Sequence, residues 1–543
     1  MGSWRVEKEC AREVGGLSFI LGDADAVVVA VDLLARAVLV CAQMSEGICY
    51  LVGAGPGDPG LVTVKGKKCI ERADVLVYDA LSSEVFLSWV KEGCELIFAG
   101  KRAKDHAIPQ DEINALIVEE TLEGKVVTRL KGGDPMIFGR GGEEAAELAE
   151  AGVRFEIVPG ISSTIGGAAY AGIPVTHRDH CSQLTIFTGH EDPTKETSSL
   201  DYAHLAKTAG TKVFVMGVSR LREICAEFIK HGAPAQTPIA LSRWASTPQQ
   251  WTLTGTLETI ADLVEEKNFT SPAVAVIGDV VKERKKINWF ESRPLFGKRI
   301  VVTRTREQAG VLSEQLAEAG ADVVELPTIK IENPKDKKSF ARLVADCHTY
   351  EWLIFTSPNG VEKFFRAFYA TYKDARSLGG CRIAAIGPST AEKINENRFT
   401  VDLMPEKYVA ESLVEAFLKE SVENRTMLWI KAEETRDVIY QELLKAGAII
   451  DQCVAYRTIP ETGDPTGAAE RLRSEGADMV TFTSASTVES FFNMGIPWPE
   501  GCVAASIGPV TTKALREAGV REIIEAEKSD ISGLVAAVKA SIL

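Results

Sequence analysis

The sequence predicts an α/β protein built from more than one module. Three observations carry that expectation. Short β-rich runs alternate with amphipathic stretches from Ile48 to about Ile277. A charged stretch carrying Pro294 and Gly297 then breaks the rhythm. A second alternating series follows, and it contains an internal repeat. The length of 543 residues fits three or four domains at roughly 100–200 residues each.

In the first series, "ICYLVG", "VLVYD", "CELIFAG", "KVVTRL", "FEIVPG", "QLTIFTG", "KVFVMG" and "PAVAVIG" read as strands. Each is short, rich in β-branched or aromatic residues, and most end on Gly or Asp. Helical periodicity fills much of the space between them, as in "VTVKGKKCIERA" and "EEAAELAEAG". "KERKKINWFESRPLFGKR" (282–299) reads as the linker between modules, centred on 286–296. In the second series, "WLIFTSPNGVEKFF" followed by "RIAAIGPSTAEKI" recurs as "MVTFTSASTVESFF" followed by "VAASIGPVTTKAL". Each copy has a strand ending in Thr-Ser, then a strand ending in Gly-Pro before a helix. Hydroxyls there cap helix N-termini, and the same N–H groups can receive carboxylates. Two such lobes facing each other would leave a cleft.

Composition narrows the function. Hydrophobic residues at 45% and charged residues at 25% are ordinary for a globular chain. A net charge of −15 argues against a general nucleic-acid or anionic-membrane binder, so an anionic ligand needs a local basic cluster. The eleven cysteines include no CxxC pair, as expected of reduced thiols in a cytoplasmic protein. His177 and His180 lie three apart with no third ligand in view, so no metal is expected. Residues 1–47 read as an extension of unclear role, and Met44 as a possible natural start. Its apolar run "AVVVAVDLLARAVLVCA" is interrupted by Asp32 and Arg36 and falls short of the ~20 residues of a bilayer span. A basic segment with a cleavage site is missing too.

The stretch "YLVGAGPGDPG", Tyr50 to Gly60, resembles the start of a dinucleotide-binding fold. Gly53 and Gly55 match two of its three glycines, and Asp79 ends the next strand where a ribose-binding acid would sit. An NAD-binding oxidoreductase is therefore one alternative. Against it, Pro56 removes an amide donor, Asp58 brings negative charge to the pyrophosphate position, and Pro59-Gly60 delays the helix. Further on, "VTRLKGGDPMIFGRGGEE" (127–144) joins two glycine turns to Arg129, Lys131 and Arg140. Glycines let backbone approach a flat ligand closely, and the cations can receive carboxylates.

With "GAGPGD", "RLKGGDP", "VPGISS", "AGIPVTHR" and "TGH" in this order, residues 48–285 resemble the uroporphyrinogen-III C-methyltransferases of the tetrapyrrole methylase family. The resemblance implies two α/β domains with S-adenosylmethionine between them and S-adenosylhomocysteine as product. It assigns cofactor contacts to Pro56, Gly132, Gly133, Asp134, Ser162, Ser163, Met216, Ala245 and Ala273. Asp79 and Phe138 fall where the family lines its active site, with Arg129 and Lys131 as further substrate contacts. Val215 stands where the family usually has Tyr, so one hydroxyl contact is missing.

Residues 297–543 look like a uroporphyrinogen-III synthase, on "VVTRTREQAG", "FTSPNGV", "AIGPSTA", "VAYRT", "FTSAS" and "SIGPVTT". That resemblance implies two lobes, 297–324 plus 461–543 and 332–451, joined by a two-stranded linker through 325–331 and 452–458. Tyr456, Thr390 and Thr511 are the expected catalytic contributors, with Ser357 and Ser484 binding substrate. Together the two halves imply a bifunctional enzyme that cyclises hydroxymethylbilane to uroporphyrinogen III and methylates it twice to precorrin-2, on the sirohaem or cobalamin branch. An inactive or purely substrate-binding synthase half is the other alternative. Beyond small tetrapyrroles, a homodimer through the methyltransferase module is the one further partner the resemblance suggests.

Overall fold

A computed structural model of the chain describes residues 47–81, 84–100, 108–190, 200–304, 306–461, 464 and 467–542. The N-terminal extension, Gly47 apart, and Met44 lie outside them. The chain divides into two compact units, Met1–Gly297 and Lys298–Leu543.

The first unit opens with a parallel sheet of five strands: β1 (Ile48–Gly53), β2 (Val75–Tyr78), β3 (Glu95–Phe98), β4 (Val126–Lys131) and β5 (Phe155–Val158), in the order β3-β2-β4-β1-β5. Alternate residues of β1 enter different cores. Cys49 and Leu51 pack on one face, Tyr50 and Val52 on the other. A strand buried on both faces is apolar throughout, which is why "CYLV" shows no polar alternation.

The second sheet comprises β6 (Leu184–Thr188), β7 (Thr211–Val215), β8 (Pro238–Arg243), β9 (Trp251–Thr256) and β10 (Ala273–Ile277), ordered β6-β7-β10-β8-β9. Only β6 and β7 run parallel; β10 pairs antiparallel with β7 and with β8, and β8 with β9. The sequence reading lacked β8 and β9. Pro238 opens β8 and Ser242-Arg243 close it, leaving an apolar run of only Ile239 to Leu241, while β9 is an edge strand of Thr, Gly and partly exposed residues.

The helix Ser163–Tyr170 connects the two sheets. A Cβ on Gly167 would stand 2.9 Å from Val274 Cγ1 and 3.1 Å from Ala245 Cβ, and one on Gly166 3.0 Å from Pro56 Cγ. The glycine pair thus lets one helix touch both the "GPG" loop and the second sheet. Part of the expected linker is docked here. Trp289 and Phe290 lie edge-on to Tyr170, with ring centroids 5.0 and 4.7 Å away, and Glu291 accepts from Gln250 Nε2 at 2.8 Å. Phe290 is buried there while Trp289 stays exposed, and burying the Phe290 ring favours docked over free chain.

The second unit has two sheets. One holds β11 (Arg299–Val302), β12 (Asp322–Glu325), β18 (Met479–Phe482), β19 (Val503–Ser506) and β20 (Ile523–Glu525), all parallel, ordered β12-β11-β18-β19-β20. The other holds β13 (Ile329–Glu332), β14 (Trp352–Phe355), β15 (Arg382–Ala385), β16 (Thr426–Ala432) and β17 (Ile449–Pro460), ordered β13-β17-β16-β14-β15. The chain passes between lobes twice, and the passages are hydrogen-bonded to each other. Ile329–Glu332 pairs antiparallel with Arg457–Pro460, and Glu461 N donates to Thr328 O at 3.1 Å. The expected second passage, 452–458, lies mostly earlier, where residues through Tyr456 pair with β16. Each copy of the repeat forms strand, capped helix, strand, helix: Ser357 accepts from Gly360 N at 3.1 Å, and Ser484 from Thr487 N at 3.2 Å.

Candidate active sites

In the first unit the two glycine motifs are bound to each other. Gly55 N donates to Gly133 O at 3.2 Å, and Gly133 N to Gly55 O at 2.8 Å. A Cβ on Gly53 would lie 2.5 Å from Gly160 Cα, and one on Gly160 only 2.3 Å from Gly133 O. Three loops at the ends of β1, β4 and β5 therefore pack backbone to backbone, and that contact requires glycine. Asp134 locks the arrangement, accepting from Met136 N at 2.8 Å and from Gly160 N at 2.9 Å. Its carboxylate is thus engaged by the protein.

The acid at Asp58 has a similar task. It accepts from Gly60 N at 2.7 Å and from the Tyr170 hydroxyl at 2.6 Å, while its own N–H donates to Ser246 Oγ at 3.0 Å. Burial, then the adjacent carboxylate, holds the Tyr170 phenol above its ordinary pKa, so it remains a donor. The residue that spoils a pyrophosphate site anchors the loop to the second sheet.

Strand order gathers the expected cofactor residues. Met216 directly follows β7 and Ala245 lies two residues past β8, while Ala273 begins β10 between them. All three reach the same end of the sheet, where Val274 faces Val215 and Ala273 faces Arg243. Ser162 caps the helix Ser163–Tyr170 that packs on Ala245. Ser163 N lies 3.7 Å from a Cβ built on Gly133. Among the loop residues, Phe138, Arg140, Met216, Trp244 and Ser246 have positive φ, from 46° to 67°. Non-glycine residues rarely adopt that conformation, and where they cluster a functional site is the usual reason. Gly, Ala and Met with backbone amides suit a neutral adenine and a sulfonium, so the residues fit S-adenosylmethionine.

The basic cluster resolves differently from the sequence reading. Arg129 is 2% exposed and Lys131 4% exposed. Arg129 Nη2 donates to Asp79 Oδ1 at 2.6 Å, and its Nε to Glu144 Oε1 at 3.1 Å. Lys131 Nζ donates to the same Glu144 oxygen at 2.7 Å, and its pKa is lowered by burial and by Arg129. Buried and paired, the two cations hold carboxylates of the protein, and the expectation that they meet substrate is revised. Of the three cations in the motif, Arg140 is the exposed one, paired with Glu143 at 2.6 Å beside the exposed Phe138. Glu144 was not singled out from sequence. An acid in the first helical turn reads as a dipole partner, and only the fold reveals its two cations.

The histidines of "HRDH" lie with ring centroids 4.7 Å apart and planes tilted by 36°, and His180 Nε2 lies 3.0 Å from Glu283 Oε1. Among the described residues, no group of three or more His, Cys, Asp or Glu could hold a metal ion.

In the second unit, a cavity of about 620 Å³ is lined by Ser357, Tyr408, Trp429, Arg436 and Tyr456 from one lobe and by Ser486 from the other. Ser357 Oγ and the Tyr456 hydroxyl are 2.9 Å apart at its wall. Tyr456 is buried, and burial raises its pKa against smaller opposing effects of Ser357 and Asn359. Thr390 and Thr511, expected as catalytic, are 1% and 3% exposed in the first turns of Pro388–Glu396 and Pro509–Glu517. Neither they nor Ser484 line this cavity. Thr390 and Thr511 are buried, and Ser484 caps its helix by accepting from Thr487 N.

Comparison with known proteins follows the same division. A family model for tetrapyrrole (corrin/porphyrin) methylases matches residues 49–261, and one for uroporphyrinogen-III synthase HemD matches 310–536. The chain is similar to the porphyrin biosynthesis protein HemD of Ruminiclostridium josui, 36% identical over 91% of this chain and 97% of that one. It is 42% identical to a uroporphyrinogen-III C-methyltransferase of Bacillus subtilis, over 66% of this chain and 73% of the relative. An S-adenosyl-L-methionine-dependent uroporphyrinogen III methyltransferase of Methanosarcina barkeri is 50% identical over 43% of this chain and 92% of its own. The chain belongs to the family that joins a tetrapyrrole methylase to a uroporphyrinogen-III synthase, and is a bifunctional enzyme of the porphyrin pathway.

Proposed function

We propose that the first unit, essentially 48–285, methylates uroporphyrinogen III twice to precorrin-2, using S-adenosylmethionine. The second unit, 297–543, supplies that substrate by closing hydroxymethylbilane with inversion of its last pyrrole and loss of water. The observation that carries the methyltransferase reading is the meeting of Met216, Ala245 and Ala273 beside the Gly133 loop and the Ser162-capped helix. S-adenosylmethionine would contribute an electrophilic methyl on a sulfonium. The protein's task is to align the attacking pyrrole carbon with that methyl and to offset the positive charge the ring acquires. Asp79 suits the second task. Its Oδ1 is held by Arg129, while its side chain keeps 28% exposure at the end of β2. It can stabilise the ring cation and accept the proton the methylated carbon loses.

For the synthase, Tyr456 suits the departure of the bilane hydroxyl as a hydrogen-bond donor, with Ser357 orienting it. Helix N-termini around the cleft, among them the one capped by Ser357 and the uncapped one that starts after Val409, suit the substrate's carboxylates. A cytoplasmic location fits the reduced cysteines, and a homodimer through the methyltransferase unit belongs to the same proposal.

Supplying hydroxymethylbilane and methyl-labelled S-adenosylmethionine tests both halves together. Labelled dimethylated product is the expected result. Methylation only of added uroporphyrinogen III would leave the second half as a binding module. Saturable nicotinamide binding at the first unit, without competition from S-adenosylhomocysteine, would overturn the methyltransferase reading.

A further inference from the structure

Three donors converge on one oxygen of a fully buried carboxylate in the first unit. Arg129 Nε (3.1 Å), Lys131 Nζ (2.7 Å) and Gln110 Nε2 (3.1 Å) all reach Glu144 Oε1, while Oε2 is buried with no hydrogen-bond partner. Glu144 lies in the first turn of the helix Gly141–Glu150, beneath the sheet end that carries Asp79. Arg129 then links the two acids. Its Nη2 donates to Asp79 Oδ1 at 2.6 Å, and its Nη1 lies 3.3 Å from Leu130 O and 3.5 Å from Val77 O.

The geometry has a chemical consequence. The Nε and Nη2 hydrogens of a guanidinium lie along one edge, the edge that would otherwise grip a single carboxylate at two points. Here that edge is divided between Glu144 and Asp79. The guanidinium is rigid and planar, so fixing Nε on Glu144 fixes where Nη2 points, and hence where Asp79 Oδ1 must be. Nη1, directed at two carbonyls, removes the remaining rotation.

Stability alone is a poor account of this cluster. Desolvating an ion costs several kcal/mol or more, and a buried ion pair commonly does no better than an apolar substitute of equal volume. Four charged groups, Asp79, Arg129, Lys131 and Glu144, sum to zero, and three of them are almost wholly buried. The fourth, Asp79, is the partly exposed one, and its Oδ2 has no partner among the described residues.

We propose that Glu144 is a positioning residue for methyl transfer. Acting through Arg129, it holds Asp79 Oδ1 in place and leaves Oδ2 directed to the substrate. Lys131, 2.7 Å from the same Glu144 oxygen, completes the charge balance of the cluster. This inference rests on the reading of Asp79 as an active-site carboxylate.

The test is a double-mutant cycle on the full-length enzyme with Glu144→Gln and Asp79→Asn, read as kcat and KM for methyl transfer and as S-adenosylhomocysteine affinity. Glu144→Gln keeps the shape and removes the charge. The expected result is a kcat at least tenfold lower, with S-adenosylhomocysteine affinity changed less than threefold. In the Asp79→Asn background the same substitution should cost little more, because groups acting as a unit are non-additive. A full, multiplicative loss in that background would overturn the proposal, as would a kcat loss that tracks loss of cofactor affinity. Full activity of Asp79→Asn alone would instead remove the underlying reading of Asp79. If Glu144→Gln does not fold, Glu144→Asp, which keeps the charge but withdraws it by one methylene, serves instead. Lowered kcat at unchanged S-adenosylhomocysteine affinity then supports the role, and unchanged kcat overturns it.

Discussion

Gly55 and Gly133 exchange two backbone hydrogen bonds, 3.2 and 2.8 Å long, and so tie the two glycine motifs of the methyltransferase unit into one structure. The motifs look like separate ligand loops in sequence, 78 positions apart by the numbering (133 − 55), yet in the fold each is the other's support.

Substitution at this junction has a predictable outcome. Gly160→Ala would drive a methyl to 2.3 Å from Gly133 O, and Gly53→Ala to 2.5 Å from Gly160 Cα. Both neighbours are backbone, so neither can swing aside. Each variant should lose about 1–3 kcal/mol or more of stability, the range of overpacked cores, together with S-adenosylhomocysteine binding. Gly142, in the helix with nothing within 4 Å of a built Cβ, is the control. Gly142→Ala should unfold at an equal or higher temperature. Thermal melts with and without S-adenosylhomocysteine measure all three.

Asp79→Ala should lower methyl transfer by about 10²-fold or more, the scale of a lost acid–base or electrostatic group, while S-adenosylhomocysteine still binds. Labelled-methyl incorporation and calorimetry provide the two readings. Wild-type turnover in this variant would remove Asp79 from the mechanism.

The Asp58–Tyr170 contact makes a separate prediction about the loop. Tyr170→Phe deletes one donor to a carboxylate, an interaction worth about 1.5–3 kcal/mol. Because the same loop is bonded to Ser246, its loosening should weaken S-adenosylhomocysteine binding more than it lowers kcat at saturation. An unchanged dissociation constant would show that the anchor is irrelevant to the cofactor.

Tyr456 carries the synthase prediction. Burial raises its pKa above the unfolded value near 10, so the phenol stays protonated across the physiological range. Ring closure should therefore show no alkaline limb from this group below about pH 10, and Tyr456→Phe should lower kcat about tenfold or more at any pH below that. The stability linkage has a definite sign. Above about pH 10 the unfolded chain releases the Tyr456 proton while the native state keeps it, so native stability declines with rising pH. That decline should be shallower in Tyr456→Phe, as equilibrium melts across pH 9 to 11 can record.

Much of the fold was legible because burial on both faces writes itself into composition. The eight strands expected in the first unit are present, and the repeat in the second gives paired strand–helix units with Ser357 and Ser484 as caps. Strand β9 escaped because an edge position tolerates Gly and Thr, and the interior β8 because Pro238, Ser242 and Arg243 leave it only three apolar residues. Membership in both halves of the family was legible too, since short ordered motifs survive where overall similarity fades.

The residues by themselves determined which chemistry is available: glycine turns, a carboxylate after β2, a tyrosine in "VAYRT". Only the tertiary structure decided which of these groups is free to act. Arg129 and Lys131 read as substrate cations until burial pairs them with Asp79, 50 positions away, and with Glu144. Asp58 read as an obstacle until Ser246, 188 positions away, took its amide. Thr390 and Thr511 read as catalytic hydroxyls until the fold buried them. The physical reason is common to all of these. A polar group's role depends on whether its partner is water or protein, and those partners come from distant segments that no local pattern encodes.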